Sequence, residues 1–86
     1  MAEREKVGSV FSYFSKIGVA AVKLSDGGLS VGDTIQVEGA TTNLTFTVDS
    51  IQIDRQPIQR AEMGQSVGIG VLGKVRPNDV VYRVSE

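Results

Sequence analysis

The side chains able to do chemistry form a short set, and two absences define it. The chain contains no cysteine and no histidine. A thiolate nucleophile, a disulfide framework, the commonest general base and the commonest metal ligand are therefore all missing. Asp26, Asp33, Asp49, Asp54 and Asp79 are dispersed among turn sequences. None shows the spacing of a calcium loop, and carboxylates that bond their own backbone account for them better. No Gly-x-x-x-x-Gly-Lys-Ser/Thr phosphate loop occurs. The glycine-containing run Met63 to Gly68 precedes a strand and not a helix, so it lacks the N-terminus that would receive a phosphate. Serine, threonine, lysine and tyrosine remain, but no spacing pairs a nucleophile with a base. The expectation is a protein that is not an enzyme, with no metal and no cofactor.

Binding chemistry is better represented. Arg55, Arg60, Lys74 and Arg76 fall in expected loops near strand ends, where they would position RNA phosphates. The plainer reading is a solvated surface interleaved with Asp54, Glu62 and Asp79, because nine basic residues against ten acidic ones leave a net charge of −1. Phe11, Tyr13 and Phe14 offer either a stacking platform for bases or core packing. Adjacent Tyr13 and Phe14 must face opposite ways, and Tyr13 with Lys16 in the following turn is the candidate stacking site. Gly68 and Gly70 read as a strand crossed closely by a neighbour, or as the floor of a shallow groove.

These residues need strands to hold them. Ten glycines and two prolines among β-branched residues indicate many short strands. The expected strands are Lys6 to Phe14, Ile17 to Leu24, Thr34 to Glu38, a fourth segment through Leu44 to Ile53, Val67 to Val71, and Val80 to Val84. In the fourth segment Leu44, Phe46 and Val48 are apolar at even positions, whereas Ile51 and Ile53 are apolar at odd ones. A period of two cannot change parity without a break, so a bulge or sharp bend is expected near Asp49 and Ser50. Gly28, Gly32 with Asp33, Gly64, and Asn78 with Asp79 mark the turns. Val31 to Val37 and Pro77 to Val84 echo each other as a turn, an Asp and a strand. Gln59 to Met63 is the one candidate helix, a single turn ended by Gly64. Regular strands with almost no helix predict an all-β fold, a small closed six-stranded barrel of Greek-key type.

At 86 residues, with 41% apolar side chains, the chain is expected to be a single domain over 1–86 with its core at about 7–84. No apolar run reaches the roughly 18–20 residues of a membrane helix, and the mixed-charge start does not read as a signal peptide. A cytoplasmic location is the expectation.

Gly28 to Gly39, Ser50 to Asp54 and Ala61 to Ile69 together resemble the second, β-barrel domain of elongation factor Tu-like translational GTPases. The closing Lys74 to Val81 resembles that domain's final strand. The resemblance implies a stand-alone binding module that docks to RNA, the ribosome or a translation factor, without the GTPase. The family pattern has a glutamate and, three residues on, an arginine in the pocket for the end of transfer RNA. Gln52 and Arg55 stand at those positions, and the amide keeps hydrogen-bonding capacity. The implied docking surface is Gln52, Arg55, Arg60, Lys74 and Arg76. Related barrels also occur as accessory domains on unrelated enzymes, including the terminal barrel of some U32-type peptidases. A protein-interaction or regulatory subunit of an enzyme outside translation is therefore the alternative, and the near-neutral charge favours it over RNA binding.

Overall fold

The computed structural model describes residues 3–85; Met1, Ala2 and Glu86, inside the expected 1–86 domain, lie outside them. The described residues are all-β: β1 (Glu3–Phe14), β2 (Val19–Lys23), β3 (Leu29–Ser30), β4 (Thr34–Glu38), β5 (Asn43–Thr47), β6 (Ile51–Ile53), β7 (Gln56–Ile58), β8 (Arg60–Ala61), β9 (Ser66–Gly70) and β10 (Val80–Ser85). Eight strands form one antiparallel sheet in the order β5-β4-β10-β1-β2-β9-β6-β7, while β3 pairs with β8. The expected one-turn helix at Gln59 to Met63 is absent: Arg60 and Ala61 pair as a strand with Ser30 and Leu29. One helical turn has no cooperative gain of its own, and Ala61 is fully buried against the core instead.

Alternation along the strands sorts core from surface. Ala20 and Val22 on β2, Ile35 and Val37 on β4, and Val67 and Ile69 on β9 are buried, and their sequence neighbours face outward. Cross-strand rows such as Ala20–Ile69–Ile51 continue the apolar layer from β2 through β9 to β6. The sheet cannot be flat. β5 and β6 stand first and seventh in the order, yet only residues 48–50 join them. Six strand spacings in a flat sheet would separate them by about 29 Å, whereas that link reaches at most about 14 Å. The sheet therefore curls until its two ends approach. No pairing joins β5 to β7 among the described residues, so the expected closed six-stranded ring gives way to a curled sheet of eight strands. Asp49 and Ser50 are the exposed residues of this link. The register shifts are in β1, between Lys6 and Gly8 and between Val10 and Ser12.

One turn design recurs three times, at Ser30–Asp33, Glu62–Gln65 and Arg76–Asp79. The third residue of each has positive φ: Gly32 at 97°, Gly64 at 96° and Asn78 at 78°, the pattern of a type II turn. The fourth residue's side chain accepts the first residue's N–H, at 2.9 Å for Asp33, 2.7 Å for Gln65 and 2.8 Å for Asp79. Each turn then grips a buried apolar residue elsewhere. Gly32 N–H donates to the Val48 carbonyl and Val48 N–H to that of Asp33. Gly64 and Gln65 hold Leu24 by the same two bonds, and Asn78 and Asp79 hold Val10. Gly28 lies elsewhere, beside β8, where a Cβ would come 2.8 Å from the Ala61 carbonyl oxygen.

Asp79 is only 4% exposed, so its removal should cost most. Asp79→Ala leaves the Arg76 N–H without its acceptor, and we predict a loss of about 1–3 kcal/mol of unfolding free energy, measured by urea denaturation. A change within error would show that the carboxylate does not hold this turn.

Candidate docking groove

A groove on the outer face of the sheet crosses β1, β2, β9 and β6. Its origin is the bulge in β1. Val10 pairs with Val22 and Ser12 with Ala21, leaving Phe11 as the extra residue. In an uninterrupted strand Phe11 and Phe14 would face opposite sides. The extra residue reverses the parity beyond it, so Tyr13 comes opposite Ala20 and Phe14 opposite Val19. Ala20 is core, and Tyr13 packs against that core. Phe14 shares the outer face with Phe11, and the two are 50% and 53% exposed. Ile17, in the turn after β1, is 69% exposed and lines the same groove.

The floor is low because its residues are small. Ala21 pairs with Gly68, and Gly68 with Gln52, in one row across three strands. A Cβ at Gly68 would come 3.2 Å from Val19 and 3.3 Å from the Gln52 side chain, so the missing side chain is what lets Gln52 lie over the strand. The groove encloses about 460 Å³, with Gln52, Asp54 and Arg55 at its polar side. Asp54 and Arg55 form a two-residue hairpin between Ile53 and Gln56, with φ of 52° and 66°. Such turns favour Asn or Gly at both positions, because the left-handed region crowds a Cβ. Asp tolerates it, but Arg gains nothing locally. Among the described residues the Arg55 guanidinium has no ion-pair partner, and the Gln52 amide makes no side-chain hydrogen bond.

The residues expected to form one docking surface are dispersed. Gln52 and Arg55 line the groove. Arg60 pairs with Glu62 at 3.1 Å, both well exposed, and borders a second, polar cleft with Met63 and Arg83. Lys74 and Arg76 flank buried Val75 on the segment leading to β10 and line neither cleft. Tyr13 packs inward and Lys16 is exposed in the turn Ser15–Gly18, so neither lines the groove. The aromatic pair that does, Phe11 with Phe14, was hidden by an unmarked bulge. Among the described residues no cluster of three acidic side chains could hold a metal, and no helix is long and apolar enough to cross a membrane.

No protein-family model matches the chain. It is 40% identical over 85 residues to a collagenase of Porphyromonas gingivalis, covering 95% of this chain and 20% of that protein. An uncharacterized protease of Methanocaldococcus jannaschii is 34% identical over 82 residues, covering 94% of this chain and 20% of that protein. The chain thus spans about a fifth of the length of the curated relatives it matches. The fold is shared with the crystallised C-terminal domain of a candidate U32 peptidase from Geobacillus thermoleovorans, at a TM-score of 0.84 and 22% identity over 92% of this chain and 91% of that one. These likenesses overturn the elongation factor resemblance and, with it, the expected docking to RNA, the ribosome or a translation factor. The physical reason is that the Leu29 to Val37 and Lys74 to Val81 segments are corner turns that launch strands. They encode a fold and carry no functional signature.

Arg55→Gly relieves the left-handed backbone and is expected to stabilise the protein by about 1 kcal/mol, read as a higher urea midpoint at unchanged m-value. A lower midpoint would show that the Arg55 side chain contributes to the fold itself.

Proposed function

We propose that this chain is a non-catalytic accessory module of a U32-type peptidase, supplying a protein-docking groove and no bond chemistry. The observation that carries this reading is the pattern of coverage: 95% of the chain matches only 20% of a collagenase. A module of this kind leaves catalysis to the remaining four fifths of such a protein. The lack of cysteine and histidine supports the same division of labour, and a groove floored by Ala21 and Gly68 under two exposed phenylalanines suits a protein ligand. The short link between β5 and β6 supports a curled sheet that works as a closed barrel. The proposal takes the cytoplasm as the setting, where a chain without cysteine loses no disulfide.

The test is a chimera in which this chain replaces the matching 85 residues of the Porphyromonas collagenase. Proteolysis of gelatin by the chimera should equal that of the parent within about twofold, deletion of the segment should lower it, and the isolated chain should hydrolyse nothing. Hydrolysis by the isolated chain, lost on changing one side chain, would overturn the proposal. So would a deletion that leaves gelatin turnover and protein stability unchanged.

A further inference from the structure

We infer that the groove between Phe11, Phe14 and Arg55 binds an extended, proline-rich polypeptide in the polyproline II conformation. This rests on the accessory-module reading for the kind of ligand and on the groove's own chemistry for the conformation. A polyproline II chain has no internal hydrogen bonds, and its prolines offer carbonyl acceptors without N–H donors. Its natural receptor is a shallow aromatic trough with donors along one side. The outer face has that composition. Phe11 and Phe14, each about half exposed, stand on β1 beside a floor made by Ala21 and Gly68. On the other side Gln52 offers amide N–H groups, and Arg55 a guanidinium with no ion-pair partner among the described residues.

The competing ligands fit less well. A strand-forming peptide would add to the edge of the sheet beside the groove, which is β7. Pro57 at the centre of that three-residue strand has no N–H to offer. An anionic ligand would need net positive charge, and Asp54 stands beside Arg55 in the lining. The strain at Arg55 fits a binding role, because a side chain kept at φ of 66° without a local partner is explained by what it does for a ligand.

The test uses the full 86-residue chain and a fluorescein-labelled decaproline peptide, with a glycine-serine peptide of equal length as control. Decaproline should raise fluorescence anisotropy saturably and shift the amide resonances of Phe11 to Val19, Gln52 to Arg55 and Gly68. Phe14→Ala, at an exposed site where folding is not at stake, should weaken binding by about tenfold. Arg55→Gly should weaken it several-fold while the protein becomes more stable, which separates ligand contact from damage to the fold. No groove shifts at millimolar decaproline, or equal binding of the glycine-serine peptide, would overturn the inference. The same would follow if these resonances shift with protein concentration alone, which assigns the face to a second copy. If decaproline fails to bind while the chimera keeps its gelatin turnover, the inference falls and the accessory role stands.

Discussion

The three gripping turns are the constraint on which the rest of this small fold depends. Each commits both backbone groups of one buried residue, Val10, Leu24 or Val48, to the N–H and C=O of a turn remote in sequence. A domain of this size has a thin core and few ways to fix where its strands cross. Reciprocal hydrogen bonds to residues that are themselves buried fix those crossings, since breaking one leaves the buried residue's polar group without its partner. The apolar side chains of Val10, Leu24 and Val48 are then buried at the points of contact. Turn chemistry and core packing thus specify the same arrangement.

The grip on Val10 reaches the groove directly. Val10 is held by Asn78 and Asp79 and also pairs with Val22, and the next residue, Phe11, has no place in the ladder. One surplus residue sends Tyr13 inward and Phe14 outward. Two aromatic rings that a regular strand would separate are brought to one surface, over a floor that Gly68 keeps low. Packing and recognition are linked through a single register shift.

Much of the fold was legible from residue patterns, and the reasons for the rest are specific. The strand at Thr34 to Glu38 alternates cleanly, and both it and Val80 to Ser85 carry Asp-containing turns ahead of them. The echo between those two turns was visible, but the third copy at Glu62 to Gln65 was not, because Gln65 replaces the aspartate. β7 was obscured by Pro57, which an edge strand tolerates and a central one does not. Its hairpin was obscured by Asp54 and Arg55, neither being the glycine that two left-handed positions usually demand. Gln52 and Arg55 stand out as a pair in the sequence only through a resemblance that the relatives overturn, and their place in the groove owes nothing to it. Phe11, Tyr13 and Phe14 stand out together in the sequence, but which ring faces outward is not legible there, because a bulge leaves no residue signature.

The most direct measurement is a set of proton Overhauser contacts from the rings of Tyr13 and Phe14 in the full chain. The account requires the Tyr13 ring to contact the Ala20 methyl and the core, and the Phe14 ring to contact Val19 on the outer face. Contacts from Phe14 to the core, with Tyr13 on the surface, would show that β1 has no bulge at Phe11. The groove and its proposed ligand would then lose their physical basis.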